Sequence, residues 1–438
     1  MGETAAAKIE LLSRPVTVRD IQYEYSEEDR CFRHNLKRDL HIFCVWEKAR
    51  QREKEIIRTL SESFRLLKVT EIEWPQDEIT TNFGRLYKTI GQDENMKHKS
   101  VGSGPFLCIV VEDKNPKYFY EQSVSGNIEL CNRKVVEAKR AIRSWFGGFL
   151  VHSTANPVEF IEQIHLLFDE QEADEIWRRS FCSIEPDRKK GSLVGHQGWR
   201  SFEELFSHLN RTTDYVVLRN FETLPDAYDE SDLDILCADP GAFLSAVNGV
   251  EVERTDRRVK CMIRVEARSI ETDVRFVGDG YYDTAWQQDI LRQSELFMGV
   301  VRVPRADHLF FSLLYHCALQ KRSITAKYQE KLGRIGREIG LSQEIIDSIP
   351  SSEASAMVVR NYFKASGYKF YTPLDRDVYT NRGALRRLWP SYVVFYSKPE
   401  HSLLHTCLSG MARVARRNVP EWMREYVPDR AKTWVRQI

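Results

Sequence analysis

Residues 214–240, DYVVLRNFETLPDAYDESDLDILCADP, carry the most informative pattern in the chain. Two apolar runs separated by a polar loop predict two strands. Asp232 and Asp234 lie two residues apart in the second run, and successive residues of a strand point to opposite faces. Leu233 and Ile235 then face the other way, towards a hydrophobic core. We therefore expect a strand that displays two carboxylates on one face.

A third carboxylate follows on a later predicted strand. The run SIETDVRFV, residues 269–277, contains Asp273. Carboxylates held on one surface repel one another unless a cation lies between them, so Asp232, Asp234 and Asp273 predict a site for Mg²⁺ or Mn²⁺. A pair of such ions activates the attacking oxygen and stabilises the leaving oxygen in phosphoryl or nucleotidyl transfer. The alternative is a pair of solvent-facing aspartates on an edge strand.

The order of these residues resembles the nucleotidyltransferase-fold superfamily over residues 196–330. The superfamily has a Gly-Ser at a helix start, an Asp-x-Asp strand and a third Asp on a later strand. The resemblance implies that Asp232, Asp234 and Asp273 are the catalytic, metal-binding residues. In this chain Arg219-Asn220 stands in the place of Gly-Ser.

Basic residues follow in the region that supplies phosphate contacts in that superfamily. The segment HCALQKRSITAKYQEK contains Lys321 and Arg322 at a predicted helix end. The resemblance implies that they bind phosphate together with Arg219 and Asn220. The alternative for Lys321 and Arg322 is an ordinary solvated helix end.

The first half of the chain resembles the nucleoside diphosphate kinase family over about residues 40–170. Strands and helices alternate there, and AIRSWFG…FLVHSTANPVEFIEQIHLLF is similar to the family's segment from a phosphate-binding arginine to the active-site histidine. The resemblance implies a ferredoxin-like fold, with Arg143 clamping phosphate and His152 carrying it. The family's His-Gly-Ser-Asp is His-Ser-Thr-Ala here, so the acidic partner is missing. The alternative is a domain that kept the fold and changed its function.

These patterns predict an α+β protein with five regions. The first sheet domain is nucleoside diphosphate kinase-like and ferredoxin-like, and the second is a nucleotidyltransferase-like mixed-sheet domain. The regions are an N-terminal arm (1–37), the first domain (38–172), a Gly- and charge-rich linker (173–198), the second domain (199–305) and a helical C-terminal region (306–438).

Composition restricts the partners and the compartment. The 438 residues contain 64 Lys and Arg against 64 Asp and Glu, so no global positive field favours a nucleic acid, and we expect none as partner. No apolar run reaches the length of a membrane span, and the N-terminus lacks a signal peptide's apolar core. Nine cysteines without a C-x-x-C pair predict reduced, buried thiols and a cytoplasmic protein. The basic, aromatic tail 411–438 could contact an anionic membrane surface or pack on its own domain.

Three functions remain open on the sequence. The first is an enzyme, a metal-dependent transferase that moves a nucleotidyl or phosphoryl group from a nucleotide to a small acceptor such as a sugar or sugar phosphate. The second is a phosphohistidine-type phosphotransferase centred on His152. The third is a non-catalytic nucleotide-binding sensor or scaffold, which the missing family signatures favour.

Overall fold

The structure is a computed structural model that describes residues 38–90, 97–122, 128–179, 185–371, 375, 377–388 and 393–394. The expected arm and the basic tail lie outside these residues. The described chain is α+β with mixed sheets. Its strands are β1 (Asp39–Val45), β2 (Arg65–Glu73), β3 (Phe106–Asp113), β4 (Tyr118–Gln122), β5 (Ile128–Asn132), β6 (Val151–Ser153), β7 (Asp187–Lys190), β8 (Tyr215–Val217), β9 (Asp232–Cys237), β10 (Val250–Arg254), β11 (Val259–Val265), β12 (Arg268–Phe276), β13 (Glu295–Phe297), β14 (Val301–Val303), β15 (Phe370–Tyr371) and β16 (Val393–Val394).

Helices alternate with these strands and dominate the end of the described chain. A 3-10 helix spans Glu47–Arg52. The α-helices are α1 (Glu53–Ser63), α2 (Ile79–Leu86), α3 (Lys97–Val101), α4 (Arg133–Ser144), α5 (Pro157–Leu167), α6 (Glu170–Arg178), α7 (Phe202–Thr212), α8 (Pro240–Val247), α9 (Thr284–Arg292), α10 (Ala306–Leu319), α11 (Ala326–Glu338), α12 (Gln343–Ser348), α13 (Ser352–Ser366) and α14 (Arg382–Leu388).

The first sheet has helices on both faces. Its strand order is β6-β1-β3-β2-β7, and the pairs β6/β1, β1/β3 and β3/β2 are antiparallel. Alternation along β1 sends Phe43 and Val45 into a core with α1 and α4, while Ile42 and Cys44 pack with α2 and α5. Helix α5 begins after Asn156, whose side chain accepts a hydrogen bond from the backbone N–H of Glu159 in the first turn.

The segment expected to be a linker, 173–198, has structure of its own. It begins inside α6, and its DRKK run forms β7, a fifth strand parallel to β2. Cross-strand ion pairs compensate the charges of this edge strand, including Lys190 with Glu73 at 2.8 Å. Leu193 then joins the core of the first sheet. The first module therefore extends into this segment.

The second sheet holds the predicted carboxylate strands. Its order is β10-β11-β12-β9-β8, with β9 and β12 parallel and the other neighbours antiparallel. Strand β9 lies between β12 and β8, so it is not an edge strand. Leu233 and Ile235 are buried in the core shared with α7, α9 and α10, as the period-2 pattern predicts.

Arg85 joins the two modules at the C-terminal end of α8. Its side chain is fully buried; Nε donates to the Ser245 carbonyl at 2.9 Å and Nη2 to the Val194 carbonyl at 2.6 Å. The last carbonyls of a helix have no partner within the helix, so Arg85 of α2 satisfies one of them from outside. Burial lowers the pKa of Arg85 to about 9.

The described part of the C-terminal region is mostly helical, as expected, with α10 buried along almost its whole length against α11 and α13. None of the helices in the described ranges combines the length and the apolarity needed to cross a bilayer. Six of the cysteines lie in these ranges, and all six are free and buried, which confirms the expectation for Cys44, Cys108 and Cys237 among them.

Candidate active site

The three predicted aspartates line one cleft of about 470 Å³. Asp273 on β12 is the register partner of Asp234 on β9, and Asp232 lies two residues before Asp234 on the same face. Parallel pairing therefore brings together two carboxylates that are about forty residues apart in sequence. The remaining walls come from the β10–β11 connection, the region after β12, the end of α10 and residues 377–379.

Arg219, which stands at the position of the superfamily's Gly-Ser, forms an ion pair with Asp234 inside the cleft. The side chains are 13% and 8% exposed, so water screens this pair little. Burial alone would lower the pKa of Arg219, but Asp234 reverses this and the pKa lies well above its ordinary value. The pKa of Asp234 is raised, mainly by burial; Arg219 opposes that shift, while Asp232 and Asp273 add to it.

Asp273 lies on the same face, with a side chain that is 20% exposed, and its carboxylate is less fully satisfied than that of Asp234. Burial raises the pKa of its carboxyl, although Arg275 and Arg258 act in the opposite direction. Its Oδ1 atom is buried and accepts no hydrogen bond from the residues that the structure describes; Arg275 Nε lies 3.7 Å away. A buried carboxylate oxygen without a hydrogen bond is costly, and it is a suitable ligand for a cation or a donor group.

The three aspartates do not form a complete metal site by themselves. No group of three or more His, Cys, Asp or Glu side chains within the described ranges is arranged to hold a metal by itself. Mg²⁺ is commonly bound by one or two carboxylates together with substrate phosphates. The oxygens of Asp232, Asp234 and Asp273 could supply the protein's share, because one carboxylate oxygen of Asp273 is unsatisfied and all three line the cleft.

Two arginines that the sequence reasoning missed also line this cleft. Arg258 and Arg275 are only 8% and 7% exposed at their side chains. Arg275 Nη1 donates to Asp375 at 3.0 Å, and Arg258 Nη2 donates to Asp377 at 2.6 Å. Arg275 could have been found from the sequence, because it lies two residues after Asp273 and so shares its face of β12. Nothing in the sequence around Arg258 distinguishes it from a solvated charge.

Gln320, at the end of α10, presents a buried donor in the cleft. Its Oε1 accepts a hydrogen bond from Tyr281 Oη at 2.7 Å and lies 3.1 Å from His316 Nδ1. Its Nε2 is buried and donates to no group in the described ranges. Burial keeps the pKa of His316 well below its usual value, so the imidazole is neutral at pH 7. Tyr281 and His316 thus fix the orientation of the Gln320 amide.

The predicted phosphate-binding residues of the second module separate into two groups. Lys321 and Arg322 are exposed and line the cleft with Arg219, as the sequence interpretation requires. Asn220 has a left-handed backbone, with φ of 58°, and lines a different cleft with Lys327 and Lys331. The structure therefore brings Arg219, but not Asn220, to the three carboxylates.

His152 and Arg143 lie in the first module. His152 Nε2 is 2.9 Å from Gln163 Oε1 and 3.7 Å from a Glu159 carboxylate oxygen, and the imidazole is buried. Arg143 Nε donates to the carbonyl of Val151 at 2.8 Å. Neither residue lines the carboxylate cleft of the second module.

The neighbouring surface of the first module is acidic. A cleft of about 390 Å³ beside α5 is lined by Glu129, Glu159 and Glu162, with Lys88 as its only cation among the described lining residues. Burial raises the pKa of Glu159, and it raises that of Glu162 to about 7. This lining does not suit a triphosphate, which requires several cations.

Comparisons of the chain with protein-family models, with curated proteins and with solved structures found no match.

Proposed function

We propose that the chain is a metal-dependent transferase that moves a nucleotidyl or phosphoryl group from a nucleotide to a small acceptor in the carboxylate cleft. The observation that carries the proposal is the register pairing of Asp234 with Asp273, which places a buried and a partly buried carboxylate side by side next to Asp232. Such an arrangement stores repulsion that a cation or a phosphate-bound metal would relieve. Arg219 offsets the charge of Asp234, whereas a buried oxygen of Asp273 accepts no hydrogen bond from the described residues and is available to a cation.

The described residues support distinct roles in this reaction. Asp232, Asp234 and Asp273 would hold Mg²⁺ or Mn²⁺, which supplies charge neutralisation and activation of the attacking oxygen when bound. Lys321 and Arg322, at the cleft wall, attract the phosphates of the nucleotide. Arg219 forms an ion pair with Asp234. In the reaction its guanidinium group would release this carboxylate and bind a phosphate oxygen of the nucleotide instead.

We infer that the first module has a supporting role. Its strand order β6-β1-β3-β2 with βαββαβ connectivity supports a ferredoxin-like arrangement similar to that of nucleoside diphosphate kinases. The hydrogen-bonded, buried imidazole of His152 and the acidic cleft beside it argue against phosphoryl transfer through this histidine.

Incubation with nucleoside triphosphates tests the function directly. Each nucleotide, labelled in turn at the α- and γ-phosphate, is supplied with Mg²⁺ or Mn²⁺ and a panel of sugars and sugar phosphates. Transfer of the α-label indicates nucleotidyl transfer, and transfer of the γ-label indicates phosphoryl transfer. We expect Asp234→Asn and Asp273→Asn to lower transfer at least about 100-fold, the scale seen when a charge-stabilising group is lost from an active site.

Two control variants sharpen the test. Asp226→Asn changes an exposed aspartate outside the cleft and should leave transfer unchanged. His152→Asn should also retain transfer. Acid-labile phosphate on the protein that disappears in His152→Asn would instead support the phosphohistidine function. Nucleotide binding without any turnover would support the sensor or scaffold and contradict the proposal.

A further inference from the structure

Arg258 and Arg275 form a buried pair of guanidinium groups. The pair binds two carboxylates from the C-terminal region of the same chain. Asp375 lies 3.0 Å from Arg275 Nη1 and 3.6 Å from Arg258 Nη1, so it bridges the two arginines. Asp377 bonds to Arg258 Nη2 at 2.6 Å. Asp377 is itself 66% exposed, whereas the arginine that it contacts is almost fully buried. The arginines are therefore built into the fold, and an exposed carboxylate reaches them from the surface.

We propose that this arginine pair is the subsite for a phosphate monoester group of the acceptor, and that Asp375 and Asp377 imitate that group. The two aspartates together bring a charge of about −2, the same as a phosphate monoester above its second pKa. Two guanidinium groups, one from β12 and one from the connection just before β11, match the several oxygens of one tetrahedral anion. The acceptor is then a phosphorylated small molecule.

Unused donors in the same cleft support a ligand with more acceptor oxygens than the aspartates supply. Arg258 Nε and Gln320 Nε2 are both buried, and neither donates to a group within the described ranges. Both residues line the carboxylate cleft. Phosphate has three terminal oxygens with several lone pairs each, so it could accept from the arginine forks and from an additional donor.

The subsite is held rigidly and lies next to the carboxylates. Arg275 stacks over the ring of Tyr281, with its guanidinium carbon 4.2 Å from the ring centroid, and Tyr281 in turn holds Gln320. Arg275 Nε is 3.7 Å from Asp273 Oδ1. An anion on Arg275 is thus placed within a few ångströms of the proposed metal-binding face.

That the bound molecule is the acceptor of the reaction rests on the proposed function. Binding of phosphate to the arginine pair does not, and it can be measured without any assay of transfer. Isothermal titration calorimetry with inorganic phosphate at pH 7.5 uses the full chain. In Asp375→Asn/Asp377→Asn the competing negative charges are removed, so we expect phosphate to bind at least about tenfold more tightly than in the wild type, since tenfold corresponds to about 1.4 kcal/mol. This is a gain of binding, which a misfolded variant cannot imitate.

Matched variants identify the arginines as the cause. Glu353→Gln removes an exposed carboxylate that pairs with Arg387 outside the cleft, so it should leave the phosphate affinity unchanged. Adding Arg275→Met to the double aspartate variant should weaken phosphate binding at least about tenfold. Arg275→Lys, which keeps the charge but loses the fork, should recover only part of the affinity.

The outcomes separate the subsite from the transferase. Equal phosphate affinity in the wild type and in the double aspartate variant would overturn the subsite, as would phosphate binding that survives Arg275→Met. Acetate binding as tightly as phosphate would identify a carboxylate site and overturn the phosphate assignment. If phosphate affinity rises as expected while no nucleotide is turned over, the subsite is supported and the transferase proposal fails.

Discussion

Replacing Arg219 by methionine removes the cation from the centre of the carboxylate cleft while keeping most of the apolar length of the side chain. The Asp234 carboxylate, 8% exposed, is then left without its ion-pair partner and next to Asp232 and Asp273. Loss of one partner of a buried ion pair costs about 3–5 kcal/mol, mainly because the other charge stays buried and unpaired. We expect the free energy of unfolding of Arg219→Met to fall by that amount at pH 8.

The penalty should depend on pH in a defined direction. Burial, together with Asp232 and Asp273, already raises the pKa of Asp234, and Arg219 is what opposes this shift. Without Arg219 the pKa in the folded state rises further, so the folded protein binds a proton that the unfolded chain releases. The cost is therefore present above the folded-state pKa and is relieved as the pH falls through it. The destabilisation should be smaller at pH 5 than at pH 8.

Urea unfolding followed by tryptophan fluorescence measures both effects. Arg322→Met is the matched control, because Arg322 lines the same cleft but is exposed, and its loss should change stability by less than about 0.5 kcal/mol. The double variant Arg219→Met/Asp234→Leu removes both charges and should regain most of the lost stability. A single variant as stable as the wild type, or a double variant less stable than the single one, would refute the assignment of a strongly coupled pair.

Three further predictions concern the first module. His152→Phe should lower stability by about 1–3 kcal/mol, because Gln163 loses a buried hydrogen bond, without any change in nucleotide transfer; a loss of transfer in a folded variant would contradict the supporting role. Burial raises the pKa of Glu162 to about 7, so ionising this carboxyl costs the folded protein up to about 3 kcal/mol as the pH rises from 4.5 to 7, and the stability of Glu162→Gln relative to the wild type should increase over that range in thermal melts. Asn156→Ala should lower the free energy of unfolding by about 1 kcal/mol through loss of the α5 cap, whereas Asn156→Ser should be nearly neutral; equal effects of the two would argue against capping.

The carboxylate strands could be predicted because their pattern is local. Asp232, Leu233 and Asp234 alternate within one short run, and a period of two is enough to assign their faces. The pairing of Asp273 with Asp234 required only that the two predicted strands be neighbours. The same period of two assigns Arg275 to the face of β12 that carries Asp273. Its burial could not be predicted, because nothing in the sequence distinguishes it from the many exposed basic residues.

The features that escaped prediction depend on partners far away in the sequence. Strand β7 is DRKK, which has no apolar alternation, and it is a strand because Glu71, Glu73 and Lys68 of β2 offer opposite charges across the ladder. Arg258 is held by Asp377, more than a hundred residues later. Propensity and periodicity are read from short stretches of sequence. They cannot detect pairs whose two members are far apart in the chain.

The buried Arg85 makes the two modules difficult to separate. A protein cut before Trp199 would retain the cleft residues but lose the guanidinium that caps the end of α8, together with the Val194 carbonyl that shares it. Helix α8 leads directly into the outer strands of the second sheet, on which Arg258 and Asp273 depend for their positions. The isolated second module should therefore be a poor substitute for the whole chain in binding studies, and proteolytic fragments that still bind ligand should contain both modules.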